Sequence, residues 1–319
     1  MNLAHVHLLL NHFPTIGFGI ALALYIAAMI GKKDDLQRAS LVIFFLVAAV
    51  AIPTYMSGNA AEEIIKDKEG ISAPLIRAHE DAALEAFVIM EITGFLAWLS
   101  LWQYRVLRRA PRWTAPVVFT LSLISFVLMA RAANLGGLIH HPEIVSPEET
   151  AAAAANAASL IPFPGAGFAR AVGAFVVGNT WVWPSCETLH FVGLSILFTT
   201  VLVVDLRMLG LAKKLSFSAL YQLLPLGMLG FALNLLTGMF FFIGAPQQYT
   251  KNPIFYWKMI FVILAAINVL YFMLLDQPWT VGPEDEAPFG AKVMAASAIF
   301  LWIGILFFGH MLPFLGNAF

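Results

Sequence analysis

The sequence contains few charges for its length. Only 12% of its 319 residues are Asp, Glu, Lys or Arg, whereas 60% are hydrophobic, a balance far more apolar than that of a soluble domain. The 18 basic and 19 acidic residues nearly cancel, and the basic ones form a few short runs, so no nucleic-acid-binding face is expected. Composition therefore indicates an integral membrane protein with the lipid bilayer as its main partner.

Cysteine is almost absent as well. The single cysteine, Cys186, excludes an internal disulfide, a cysteine-rich metal cluster and the Cys-x-x-Cys-His motif that attaches haem covalently. Any haem in this chain would therefore be bound by ligation alone. The N-terminal residues include neither a basic region nor a small-residue cleavage site, which favours a retained first helix over a signal peptide.

Long hydrophobic runs set the expected fold. Stretches of about 18 residues or more can cross the hydrocarbon core of a bilayer, and the sequence predicts eight, at 13–31, 39–57, 80–104, 114–134, 186–206, 217–243, 254–275 and 290–311. The expected fold class is thus an all-α integral membrane protein of about eight transmembrane helices, arranged as two four-helix bundles. The expected domains are an N-terminal bundle, a connecting segment and a C-terminal bundle, at 1–142, 143–184 and 185–319.

The connecting segment is not expected to be featureless. An alanine-rich run from Ala151 to Ala158 predicts a short helix, and the apolar stretch 163–177 is expected to lie on the membrane surface or on the bundle. We interpret the segment as a cap.

Basic residues follow the first, third and fifth spans, around 32–38, 105–112 and 207–214. Because short cytoplasmic loops are enriched in Lys and Arg, this pattern places both termini on the outer, periplasmic side of a bacterial inner membrane. The acidic loop 276–292 argues against this orientation, but acidic residues count for little in the rule.

All eight histidines fall on the outer side of this topology. Each one alone is explained as an interfacial side chain with a hydrated tip. As a set they are harder to explain in that way, because unrelated structural histidines would fall on both sides. Imidazole is a ligand of haem iron, zinc and copper, so the set predicts a cofactor site. The histidines are His5, His7, His12, His79, His140, His141, His190 and His310.

Two histidines at equal depth on neighbouring helices can clamp one haem between them. The preferred pairs are His79 with His12 or His141 in the first half, and His190 with His310 in the second. His7 is a further candidate ligand, which Pro14 in the first turn of the first span places before the helix. Two cations are placed to bind haem propionates, Arg77 and Arg131. Arg131 has an alternative role as a salt-bridge partner of an acidic residue, with Glu62, Glu63 and Glu80 as candidates.

Other polar residues in the spans receive simpler interpretations. Glu91, with Glu85 nearer the outer side, is the clearest mid-membrane charge and is expected to hydrogen-bond between helices. Asp205 and Arg207 are expected to form an ion pair, and Lys258 to extend towards the membrane surface.

Both halves of the sequence contain motifs of known families. The first half has His7-x4-His12-Phe13-Pro14, Ala78-His79 and Gly136-Gly137 before His141, and it resembles a bacterial family of four-helix membrane proteins of unknown function, DUF2231. Leu8 stands where members usually have proline. The second half has Glu187-Thr188-Leu189-His190, Asp205-Leu206-Arg207, Thr237-Gly238 and Asn252-Pro253 with Lys258, and it resembles a second uncharacterised bacterial family, DUF6644. These resemblances imply two four-helix units but no activity.

The leading functional hypothesis is a membrane-bound b-type cytochrome with one to three haems b. It would relay electrons near the periplasmic face, to or from quinol or a periplasmic redox protein such as a c-type cytochrome, as an electron-transfer protein or a subunit of an oxidoreductase complex. One alternative is a copper, zinc or di-metal site that uses His79, Glu80, His141 and Glu143. Another is a transporter or a non-redox structural subunit of a larger complex.

Overall fold

The fold is described from a computed structural model, which describes residues 3–68, 71–107, 113–141, 146–156, 167–274, 279 and 285–315. Throughout these residues the regular structure is helical, and eight helices are long and apolar enough to cross a membrane. The prediction of a multi-pass helical membrane protein with eight spans is confirmed. The chain divides into two compact units, Met1–Phe175 and Val176–Phe319.

The first unit contains four membrane-spanning segments in consecutive order. These are α1 and α2 together (Leu3–Leu10 and His12–Gly31), α3 (Asp34–Ile65), α4 (Ala73–Leu107) and α5 (Thr114–His140). The first span begins about ten residues before its predicted start, because Leu3–Leu10 is already helical. The prediction that His7 precedes the helix is therefore wrong, and Pro14 lies in the first turn of α2.

The four spans of the first unit pack side by side. α3 contacts α2 and α4, α4 also contacts α5, and α2 contacts α5, so the helices close on one another. The predicted alanine-rich helix is α6 (Pro147–Asn156), and its Ala153 packs against the buried cluster formed by α4 and α5. The contacts of this small helix with α4 place this part of the connecting segment in the first unit.

The second unit begins within α7 (Phe168–Gly178) and contains the other four spans. They are α8 (Val182–Met208), the pair α9 and α10 (Phe217–Tyr221 and Leu224–Gly244), α12 (Pro253–Leu274) and α13 (Phe289–Met311). The short helix α11 (Pro246–Thr250) lies between α10 and α12. α8 is central, since it packs on both α10 and α13, and α13 in turn packs on α12.

Two glycines set the approach of α8 to α10. A Cβ atom at Gly230 would lie 2.8 Å from the Gly193 carbonyl oxygen and 2.8 Å from the Leu197 backbone nitrogen. Small residues of this kind let membrane helices approach closely, where dispersion contacts replace the missing hydrophobic driving force.

We expect Gly230→Ala to destabilise the second unit by about 1–3 kcal/mol, because the added methyl group meets backbone atoms that cannot rotate away. The matched control is Gly178→Ala, where a Cβ would have no neighbour within 4 Å. Alanine is the better helix former, so the control should be neutral or slightly stabilising. Thermal unfolding of detergent-purified protein, followed by circular dichroism, measures both variants. Equal melting temperatures for the two variants would contradict this account of the helix contact.

Arg207 closes one end of the second unit. The side chain is fully buried, its Nε donates to the Leu215 carbonyl at 2.7 Å, and its guanidinium lies 4.0 Å from the centre of the Phe217 ring. Its terminal nitrogens donate to the Asp285 carbonyl at 3.3 Å. The expected ion pair is not seen, since these contacts of Arg207 do not include Asp205. Residues two apart on a helix do not face each other. Oδ2 of Asp205 is buried without a hydrogen-bond partner in the described part of the chain.

An exposed ion-pair network joins two connections at this same end. Nζ of Lys292 lies 2.5 Å from one carboxylate oxygen of Glu286, and Nζ of Lys213 lies 3.3 Å from the other. These hydrogen bonds, first that of Lys292 and then that of Lys213, hold the pKa of Glu286 below its ordinary value.

Candidate functional site

One end of the first unit collects the histidines of that half. Consecutive spans run in opposite directions, so the starts of α1 and α4 share an end with the final turns of α3 and α5. His7 and His79 lie on α1 and α4, and each is packed against a neighbouring helix. We call this region the histidine end of the first unit.

His79 is held by a carbonyl of α5. Its Nδ1 lies 2.9 Å from the Ala132 backbone oxygen. A carbonyl oxygen can only accept, so Nδ1 carries the proton and Nε2 has a free lone pair. The ring also lies against Gly136, where a Cβ would come within 3.0 Å of the His79 Cε1. The glycine thus allows the imidazole to approach the α5 backbone.

His7 repeats this arrangement on α3. Its Nδ1 lies 3.0 Å from the Thr54 backbone oxygen, and a Cβ at Gly58 would lie 3.4 Å from the His7 Cε1. The Ser57 hydroxyl donates to the same Thr54 carbonyl and lies 3.3 Å from Nδ1, so it too is available as an acceptor. Both histidines therefore donate to the carbonyl four residues before a glycine, and both keep Nε2 free.

The two imidazoles lie at the same end of the first unit. His7 and His79 are close enough to interact electrostatically, and both are at least half-buried. His12 and His141, the ligands expected from the sequence to pair with His79, have exposed side chains, and the ring of His141 lies 4.9 Å from that of His140. Those pairings stay predictions, and the electrostatic interaction of His7 with His79 favours His7 as the partner.

Arg131 has a partner that sequence reasoning did not select. Its Nη1 lies 2.7 Å from Oε2 of Glu85, and the two side chains are 20% and 2% exposed. The other carboxylate oxygen of Glu85 is buried without a hydrogen-bond partner among the described residues. Arg77 is exposed on α4, two residues before His79. Arg77 therefore remains available as a cation for a bound anion, whereas the charge of Arg131 is already balanced.

An acidic side chain of α4 holds the start of α7. Oδ1 of Asp81 accepts the backbone N–H of Ala169 at 3.0 Å, and a Cβ at Gly167 would overlap the Asp81 carboxylate. The beginning of α7 is thus bound to α4 beside the histidine end. Glu62 and Glu80 interact electrostatically with its Arg170.

The alternative metal site receives no support from the described residues. Within them, no group of three or more His, Cys, Asp or Glu side chains is arranged to hold a metal ion. One proposed ligand, Glu143, lies outside the residues that the structure describes.

The second unit brings together His190, Thr237 and Lys258 from three helices. Nδ1 of His190 lies 2.8 Å from the Thr237 hydroxyl oxygen, whose own proton is donated to the Leu233 carbonyl at 2.7 Å. His190 is therefore the donor, and its Nε2 is free, as in the first unit. Lys258 is close enough to interact electrostatically with His190.

His310 lies in a different environment from His190. Its side chain is exposed, and its ring centre lies 5.5 Å from that of Phe314. The predicted pair of His190 with His310 stays a prediction. The signal that could have linked His190 to Lys258 is their equal depth, since each lies a few residues inside the start of its helix.

No family model, no curated protein and no solved structure matches this chain. The two family resemblances seen in the sequence therefore stay predictions, and any statement about function depends on the geometry of the sites.

Proposed function

We propose that this protein is a b-type cytochrome whose first unit binds one haem between His7 and His79. The observation that carries the proposal is the free Nε2 atom on each of two partly buried imidazoles at the same end of the first unit. Haem-ligating histidines typically donate their other ring nitrogen to a carbonyl or carboxylate, which fixes the tautomer and strengthens the ligand. His7 and His79 both have this arrangement.

The surroundings of the two histidines suit a flat apolar cofactor. The rings of Tyr55 and Phe87 are stacked at 4.9 Å on α3 and α4, the helices that also carry Gly58 and His79. Gly58 and Gly136 remove side-chain bulk beside both imidazoles. A haem held there would accept and donate one electron at its iron. The exposed Arg77 is a candidate partner for a propionate group.

We further propose that the histidine end faces the periplasm in a bacterial inner membrane. Support comes from the basic loops at the opposite ends of the spans. In this orientation the haem would exchange electrons with quinol, with a c-type cytochrome or with other subunits of a respiratory complex. The protein would then be a relay or docking subunit, because haem at one side does not carry electrons across the membrane.

Additional haems in this proposal have weaker support. His12, His141 and His310 are exposed, whereas His190 has a free Nε2 and a lysine beside it. A copper or zinc protein and a non-redox structural subunit are the alternatives that remain to be tested.

The first experiment is a dithionite-reduced minus oxidised absorbance spectrum of the purified protein, with a pyridine haemochrome assay. We expect a sharp low-spin α-band and one haem b per chain. A colourless protein from haem-supplied cells would contradict the proposal, and metal analysis of that sample would then test copper and zinc.

A further inference from the structure

The second unit contains a polar cluster that a haem site in the first unit does not use. The cluster is His190 on α8, Thr237 on α10 and Lys258 on α12, and Gly309 of α13 faces the lysine. All four long segments of the unit therefore contribute to one place, near the starts of α8 and α12 and the ends of α10 and α13.

Lys258 lacks a counter-charge in this cluster. The side chain is half-buried within a predicted membrane span, and the described residues provide it with neither a hydrogen bond nor an ion pair. A Cβ at Gly309 would lie 3.8 Å from its Nζ, so the glycine leaves the ammonium group room. A cation inside a membrane span is costly unless an anion or a polarised oxygen meets it. This cost points to a ligand with such an oxygen.

His190 offers the complementary group. Its Nδ1 is engaged by Thr237, so its Nε2 can accept a hydrogen bond but cannot donate one in the neutral ring. A ligand that satisfies both side chains has one oxygen that accepts from Lys258 and one hydroxyl that donates to His190.

An aromatic wall flanks these two groups. The ring of Phe241 lies 5.7 Å from that of His190 and 4.9 Å from that of Trp183. Gly238 leaves space beside the imidazole, since a Cβ there would lie 3.7 Å from its Cε1. Aromatic faces pack well against a flat ring, in stacked or edge-to-face arrangements.

We propose that His190, Lys258 and Phe241 form a binding site for the headgroup of a membrane quinone or quinol. Lys258 donates a hydrogen bond to one oxygen of the headgroup. Nε2 of His190 accepts a hydrogen bond from the other hydroxyl of the quinol form, and Phe241 lies beside the ring. Binding itself is independent of haem; only the identity of the electron acceptor rests on the proposed cytochrome function.

Quinone binding can be measured directly on the full-length protein. Quinone that copurifies is extracted and quantified by chromatography, and the reduced, quinol form of a short-chain benzoquinone or naphthoquinone analogue is titrated by anaerobic calorimetry. We expect Lys258→Met to weaken analogue binding about ten-fold or more, because a charge-assisted hydrogen bond is lost, and Lys258→Arg to retain most of it. The matched control is Lys251→Met, whose lysine is exposed and bonded to Gln247 at 2.6 Å.

The outcomes separate the two proposals. Bound quinone in a protein without haem would support the site and contradict the cytochrome function. A haem of the first unit with no bound quinone, or equal affinities for wild type and Lys258→Met, would overturn the site. A second haem lost on His190→Leu would also overturn it. If Lys258→Met does not fold, Thr237→Val tests the histidine half of the site, because it removes the acceptor for Nδ1 of His190. It should weaken binding of the analogue, and an unchanged affinity would overturn the site.

Discussion

Replacing His79 with leucine is expected to abolish the low-spin haem spectrum of the first unit, and His7→Leu is expected to have the same effect. Each imidazole supplies one axial ligand, and a leucine side chain supplies none. The hydrogen bonds to Thr54 and Ala132 fix the orientation of both rings, and with it the position of each Nε2. The measurement is the amplitude of the reduced α-band per chain, with haem content from pyridine haemochrome.

His12→Leu and His141→Leu are the matched controls for these two variants. Both side chains are exposed and lie at the same end of the unit, so their replacement should leave the spectrum unchanged. If either control loses the haem while His7→Leu retains it, the pairing expected from the sequence is the correct one. The melting temperature of all four variants should also be measured, because a variant that loses haem through unfolding would show a lower value.

Replacing Arg131 with methionine is expected to destabilise the first unit by about 3–5 kcal/mol, the range observed when one partner of a buried ion pair is removed. Glu85 is only 2% exposed and would keep its charge without a counter-ion, or would have to take up a proton. Unfolding in mixed micelles, followed by circular dichroism, measures the change in the free energy of unfolding.

Two further variants give this prediction its control. Glu85→Gln combined with Arg131→Met should recover most of the lost stability, because no unpaired charge remains. Lys66→Met removes an ion pair of similar geometry to Glu63, at 2.5 Å, but both of those side chains are exposed. That variant should change stability far less, since surface ion pairs contribute little. A double variant as unstable as Arg131→Met alone would show that the arginine acts through packing and not through charge.

The eight spans could be predicted from the sequence because the bilayer imposes a simple requirement. Backbone polar groups in hydrocarbon must be satisfied within the segment, so a long apolar run has to be a helix. The boundaries were less predictable, as α3 shows: it extends from Asp34 to Ile65, well beyond its apolar middle. Outside the hydrocarbon a helix can continue with polar residues, so hydropathy does not mark its end.

The histidine end of the first unit also followed from the sequence, once alternating helix directions were assumed. The partners of the histidines did not. Gly136 was recognisable beside His141, but Gly58, Thr54 and Ala132 gave no sign that they would contact an imidazole about 50 residues away in the sequence. Helix rotation decides such contacts, and in an almost wholly apolar helix the hydrophobic pattern does not define which side faces inward.

The same limit applies to the charged residues. Arg131 and Glu85 are 46 positions apart, and the sequence offered several acidic residues at comparable depth. The sequence by itself determined that this chain has eight helices able to cross a bilayer and that its histidines lie towards helix ends. Only the tertiary structure decided which histidine faces which carbonyl, and which arginine meets which carboxylate, because those contacts depend on how each helix is rotated against its neighbours.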